Sequence, residues 1–291
     1  MKRESLQSEK PRKLNVGCGA NFHEGWCNID LVASDPRVLQ YDIRRGLPFD
    51  DNSFDVVYHS HVLEHLTPQQ GRDLLAECHR VLKPEGILRI VVPDLERIAQ
   101  LYLEMLQKAW MGDPRAAENY QWMKLELLDQ MVRDRSGGMM GPYMIDQDKE
   151  NREFVASRIG RELDSCQSRR ENRLITDQGP VRAISAWFEK CRERMATMAV
   201  HLLLGKDKST AFKEGLFRHQ GEIHRWMYDR YSLLELCSEL GFEDFRICLA
   251  DESLIDNFAS FHLDTMNDQV RKPDSLFVEC CKRRMTLRAA A

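Results

Sequence analysis

The stretch that decides the fold is Lys13–Leu31, KLNVGCGANFHEGWCNIDL. A short apolar run ends in Gly17-Cys18-Gly19, and a second apolar run ends in the acidic Asp30. Glycines after one buried strand and a carboxylate after the next outline a nucleoside site, because the glycines let backbone approach a ligand and the carboxylate can take ribose hydroxyls. A dinucleotide loop has a third glycine for close helix–strand packing, with the acid about 20 residues further on. Here Phe22 stands at the third position and Asp30 comes too soon. The helix after the first strand is expected to be truncated or absent. Without a helix N-terminus there is no ready phosphate site, so a ligand without phosphate is expected.

Outward from this stretch, RVLQYD, FDVVYHS and ILRIVVPD read as third, fourth and fifth strands. They are short, branched and almost continuously apolar, as strands covered on both faces must be. Between the last two, Thr67 reads as an N-cap, with Pro68 at the first helical position. A stripe of Leu74, Leu75, Cys78, Val81 and Leu82 follows. Strand, helix, strand implies a parallel pair with a right-handed crossover.

After Asp94 the period changes. LERIAQLYLEMLQKAW, ENYQWMKLELLDQMVRD and ISAWFEKCRERMATMAVHLLLG read as amphipathic helices, and RSGGMMGPYM (135–144) as a glycine-broken loop. The α/β signature returns with the helix YSLLELCSELGF and the strands FRICLA and SLFVECCK. The division expected is a flexible tail (1–12), the first part of an α/β domain (13–94), a helical insertion or cap (95–220), the rest of the α/β domain (221–283) and a second tail (284–291).

Bulk properties narrow the function. With 42 basic and 46 acidic residues the net charge is −4, which gives no support to nucleic acid or anionic membrane as partner. The first residues lack the apolar core of a secretory signal, and no apolar run is long enough to span a membrane. Nine cysteines without paired C-x-x-C spacing suit reduced thiols and a cytoplasmic location.

Three blocks in order, LNVGCG…GWCNIDL, LPFDDNSFDVVYHSHVLEHL and HRVLKPEGILRIVVPDL, resemble class I S-adenosylmethionine-dependent methyltransferases, in particular a bacterial group with a short first loop. The resemblance is strong over residues 13–95 and weaker over 221–282. It implies a Rossmann-like sheet, mostly parallel with its last strand antiparallel, and S-adenosylmethionine as cofactor. It places Gly17, Cys18 and Gly19 beside the ligand, Asp30 and Leu31 at the ribose, and Asp42 and Ile43 at the adenine, with Asp50 and Asp51 as rivals to Asp42. His59, Ser60 and His61 would face the methionine moiety and the methyl group.

His61, Glu64 and His65 have the spacing H-x-x-E-H of a zinc-binding helix in one hydrolase family, but directly after a strand of this framework a protease reading does not fit. Related O-methyltransferases of ubiquinone biosynthesis hold a divalent cation with E-x-x-E-H. This chain has His61 where they have glutamate, and no metal is assigned. Packing under the loop, general base and metal ligand remain open for these histidines. If a hydroxyl is methylated, a base near neutral pKa must take its proton. His61 and His65 are first candidates, with Asp94 as an alternative.

HRWMYDRYSL supplies a substrate group: Trp226 and Tyr228 to stack on a ring, His224 and Asp229 to bond hydroxyls. The competing reading makes the aromatics anchors and Asp229 or Ser232 a helix cap. Trp122 and residues 136–138 are lid elements or packing and turn. The acceptor expected is a small molecule or glycan, with its specificity in the insertion, which is also a candidate homodimer interface. Two rivals are an interaction module on the same fold without turnover, and an NAD(P)-dependent oxidoreductase, against which the missing third glycine counts.

Overall fold

A computed structural model describes residues 11–33, 35–146, 150–160 and 180–284, with side chains of the last range from 191 on. Most of the two expected tails, residues 1–10 and 285–291, lies outside the described residues. The chain forms two compact units, Met1–Arg97 with Arg225–Ala291, and Ile98–His224.

The first unit is built on a seven-stranded sheet. Its strands are β1 (Lys13–Val16), β2 (Cys27–Asp30), β3 (Val38–Gln40), β4 (Phe54–Ser60), β5 (Leu82–Pro93), β6 (Phe242–Cys248) and β9 (Ser275–Lys282). Their order across the sheet is β3-β2-β1-β4-β5-β9-β6. The first five pair in parallel, and β9 runs antiparallel between β5 and β6. This is the mostly parallel α/β sheet with an antiparallel last strand that the sequence implied. The order turns back at β1/β4, the switch point where open α/β sheets take ligands at their carboxyl ends.

Two faces of the sheet are covered differently. On one, α1 (Pro68–Val81) contributes Leu74, Leu75, Cys78 and Val81, and a helix over Arg230–Glu239 contributes Leu233 and Cys237. They share a core with Leu14, Val57, Leu88, Ile90 and Val278. Thr67 caps α1 in a reciprocal capping box with Gln70, Pro68 following it as the first helical residue. On the other face Val56, Tyr58, Val91 and Phe277 are covered by Ile255, Phe258 and Leu263, from the irregular stretch between β6 and β9. Each such side chain contributes about 1.5–3 kcal/mol on burial, so this stretch does a helix's work without being one. It carries a single 3-10 turn over Phe258–Phe261 and a short hairpin, β7 (Thr265–Met266) with β8 (Gln269–Val270).

No helix follows β1; the chain passes from Gly19 to Cys27 in turns. The third strand is shorter than expected. It stops at Gln40, and Asp42 caps a single 3-10 turn over Ile43–Arg45. Conversely β5 begins earlier, at Leu82, with a register shift opposite Phe54/Val56.

The second unit is helical: α2 (Leu95–Trp110) leads into it, followed by α3 (Pro114–Val132), α4 (Met140–Ile145), α5 (Arg152–Ile159), α6 (Pro180–Leu204) and α7 (Lys206–His219). The helix over Arg230–Glu239 in the first unit is then α8. Trp122 is buried in the second unit, its indole N–H donating to Glu126 Oε2 at 2.7 Å, and Glu126 also holds Arg158 Nη2 at 2.6 Å. The stretch 135–144 is not all loop. Gly137 and Gly138 make the turn, and α4 starts at Met140 because Asp129 on α3 accepts the N–H groups of Met139 and Met140. Among the described residues, no helix is long and apolar enough to cross a membrane.

Candidate active site

Gly17 and Gly19 both adopt left-handed backbone, φ +64° and +56°, a region that disfavours residues with a β-carbon. Gly17 N–H donates to the Ile29 carbonyl at 2.8 Å, so the loop is tied to β2 at its start. Asp30 then closes it. Its Oδ2 accepts Gly19 N–H at 2.8 Å and its Oδ1 accepts Val32 N–H at 3.0 Å. Each oxygen keeps a lone pair for a further donor. A β-carbon on Gly19 would meet nothing within 4 Å, so its backbone faces open space.

Cys18 is buried, and burial together with the Asp30 charge pushes its thiol up to about 12. It stays protonated and packs. Leu31 is 48% exposed at the strand end. The Asp42 carboxylate is engaged in a fork with Arg44, Nε to Oδ1 at 2.8 Å and Nη2 to Oδ2 at 2.9 Å, and it lies well away in sequence from the glycine loop. The Arg44 bond holds its pKa below the ordinary carboxylate range. Ile43 beside it packs on the core.

At the end of β4 a second group of residues converges. His61 leaves the strand with φ +55°, uncommon for a non-glycine residue. Its Nδ1 lies 2.9 Å from Glu64 Oε1 and its Nε2 lies 2.9 Å from Ser275 Oγ, at the start of β9. Glu64 is fully buried. In the tautomer with its proton on Nδ1, towards Glu64, Nε2 accepts the serine hydroxyl. His59 is fully buried, and burial drives its pKa down to about 4 against the pull of Glu64. Ser60, next to it, and His65, on the following turn, are half-buried.

The Glu64 carbonyl accepts the N–H groups of Arg225 at 2.6 Å and Trp226 at 3.2 Å. Tyr228 pairs with Asp94 in a single parallel bridge, and its carbonyl accepts Leu95 N–H at 3.1 Å. The structure therefore gathers His61, Glu64, Asp94, Trp226 and Tyr228 at the carboxyl ends of β4 and β5. Tyr228 is buried with its phenol raised to about 12 by burial and by Glu64, which keeps it neutral. Trp226 is 46% exposed, so it is not a core anchor. Asp229 caps α8, its Oδ1 accepting Tyr231 and Ser232 N–H. Asp94 Oδ1 caps α2 through Arg97 N–H at 3.0 Å. His224 is buried in the helical unit, where its N–H donates to the Gln130 carbonyl at 3.0 Å.

Residues 18–90 match the family model described as "Methyltransferase domain". The matched residues run from the glycine loop to β5, the parallel part of the sheet. An uncharacterized methyltransferase of Synechocystis sp. is 45% identical over 55 residues, 19% of this chain and 25% of that protein. A protein of Mycolicibacterium smegmatis named "Probable S-adenosylmethionine-dependent methyltransferase" is 31% identical over 103 residues, 28% of this chain and 37% of its own. The chain thus spans only a quarter to somewhat over a third of these relatives. Among solved structures, a SAM-dependent methyltransferase from Archaeoglobus fulgidus is 12% identical, covering 94% of this chain and 87% of its own, with a TM-score of 0.36.

The glycine loop has the room and the acceptor oxygens that a nucleoside ligand needs. Asp30 has free lone pairs, and the backbone of Gly19 faces open space. Sequence reasoning passed over three residues that contact the candidate site: Val62 under Gly17, Ser275 opposite His61, and Asn21 after the loop. The signal for Glu64 was present in its spacing from His61. The other three depend on contacts between distant strands.

Proposed function

We propose that the protein is an S-adenosylmethionine-dependent methyltransferase acting on a hydroxyl of a small molecule or glycan, with His61 as general base. The observation that carries this reading is the placement of His61, with Nδ1 2.9 Å from the buried Glu64 carboxylate and Nε2 bonded to a hydroxyl at 2.9 Å. The cofactor, when bound, supplies an activated methyl group on a sulfonium. Asp30 holds the ribose by charge-assisted bonds. The glycine loop lets backbone lie against the ligand.

An acceptor hydroxyl takes the place of the Ser275 hydroxyl at His61 Nε2. There Nε2 would take the proton of the acceptor hydroxyl, while the bound cofactor would supply the methyl group. Glu64 then faces an imidazolium, which it stabilises as it orients the ring. Trp226, half-exposed in the segment stitched to Glu64, supports a ring-bearing acceptor such as a sugar.

The test is calorimetric titration of S-adenosylmethionine and S-adenosylhomocysteine into wild type and Asp30→Ala, with NADH as control. Micromolar binding lost in the variant is expected. Absence of binding by either sulfur ligand overturns the reading.

A further inference from the structure

The turn after Gly19 is held from far along the chain. Asn21 Nδ2 donates to the carbonyl of Leu263, 242 residues on, at 2.9 Å. Its Oδ1 accepts from Arg271 Nη1 at 2.8 Å. The Asn21 backbone N–H donates to the Cys18 carbonyl at 3.0 Å, and its carbonyl accepts from Asn15 Nδ2 at 3.3 Å. Both ends of one amide are therefore gripped by the stretch between β6 and β9, while its backbone closes the glycine loop.

That stretch is itself anchored in the sheet. Asp264 accepts the Tyr58 hydroxyl at 2.5 Å and Arg89 Nε at 2.7 Å, all three side chains being buried. Arg89 also holds Glu279 at 2.8 Å. Burial works against the Arg89 charge, but Asp264 and Glu279 outweigh it and hold its pKa above the ordinary value. The Asp264 carbonyl accepts Arg271 N–H at 2.9 Å across the base of the β7–β8 hairpin. Arg271 thus reaches Asn21 from a hairpin pinned to β4 and β5. Phe261 adds edge contacts to His23 at 5.0 Å and Trp26 at 5.2 Å.

We infer that residues 249–274 hold the glycine loop in its binding shape, in the role of the helix missing after β1, with Asn21 and Arg271 as positioning residues for the cofactor. This rests on the reading of Gly17 to Asp30 as the S-adenosylmethionine site. A loop with two left-handed glycines samples many conformations when unsupported, and ordering it on binding subtracts from affinity. The Asn21 clamp orders it beforehand. Neither side chain needs to touch the ligand.

The experiment titrates S-adenosylhomocysteine into wild type, Asp30→Ala, Asn21→Ala, Arg271→Ala and Arg271→Lys, and follows amide hydrogen exchange and Tm without ligand. Arg271→Ala and Asn21→Ala are expected to weaken binding on the order of tenfold, the equivalent of one anchoring hydrogen bond. Exchange should quicken over residues 17–22 but not over 54–60, with Arg271→Lys in between. Wild-type binding matched within about twofold by Arg271→Ala overturns the positioning role and leaves the cofactor site standing. Exchange quickened equally in β4, with a lowered Tm, also overturns it, because the clamp would then serve the fold as a whole. No binding by wild type overturns the cofactor site and the inference together.

Discussion

Val62 lies directly under Gly17: a β-carbon on Gly17 would come within 2.5 Å of Val62 Cγ2. The glycine loop therefore rests on the turn that carries His61 and Glu64, and the proposed cofactor and base residues share one contact. Gly17→Ala would force apart that contact and strain a backbone at φ +64°. A loss of about 1–3 kcal/mol is expected for the strained residue, with S-adenosylhomocysteine binding reduced more than tenfold. The double variant Gly17→Ala/Val62→Ala should recover part of the affinity, since it relieves the clash but not the strain. Equal binding by single and double variants would show that the contact does not shape the loop.

Glu64 is fully buried and 2.9 Å from His61 Nδ1. Glu64→Gln preserves the shape but removes the carboxylate that, in the proposed mechanism, would face the protonated ring. Loss of a general base lowers the rate by about 10²–10⁴, and that range is expected for His61→Ala. Glu64→Gln should fall by a smaller factor, with the KM for cofactor unchanged. His61→Ala retaining full kcat on an identified acceptor would assign the histidine to packing.

His59 brings a pH dependence of stability. Its pKa is about 4 in the fold, chiefly through burial, and near 6.5 in the unfolded chain. Between these values the unfolded chain binds a proton that the native state does not, so stability falls as pH drops from 6.5 towards 4. The loss approaches roughly 3 kcal/mol at the acid end. Urea unfolding at pH 7.5, 5.5 and 4.0 should show His59→Leu losing less stability than wild type across this range. Parallel losses in the two proteins would mean that His59 ionises inside the fold.

Much of this architecture could be read from residue order. β4 and β9 are short, mainly apolar runs, and Thr67-Pro68 marks the start of α1 because the cap and the first helical turn are local events. Gly17, Gly19 and Asp30 were legible for the same reason, since glycine conformation and a carboxylate at a strand end are local signals. Residues 249–274 were silent. Their order comes from Asp264 meeting Arg89 and from Asn21 meeting Leu263 and Arg271, bonds that no periodicity announces. Likewise α4 was hidden behind Gly137-Gly138, because the carboxylate that caps it belongs to α3. The roles of Asp229 and Asp94 were ambiguous from sequence, since one residue type serves both caps and catalysis. Their bonds place both at helix starts.

The same capping gives a paired prediction in the helical unit. A β-carbon on Gly138 would stand 2.3 Å from Asp129 Oδ2, and the residue is left-handed at φ +53°. Gly138→Ala must displace the carboxylate that caps α4 and also holds Arg133 at 2.9 Å. Loss of such a cap costs about 0.5–2 kcal/mol, before the backbone strain is added. Gly215 sits within α7, where a β-carbon would meet nothing within 4 Å. There the alanine should stabilise by about 0.4–1 kcal/mol, by restricting the unfolded chain and favouring helix. Thermal unfolding of the two variants beside wild type should move Tm in opposite directions. A Gly138→Ala protein as stable as wild type would show that Asp129 does not hold the start of α4.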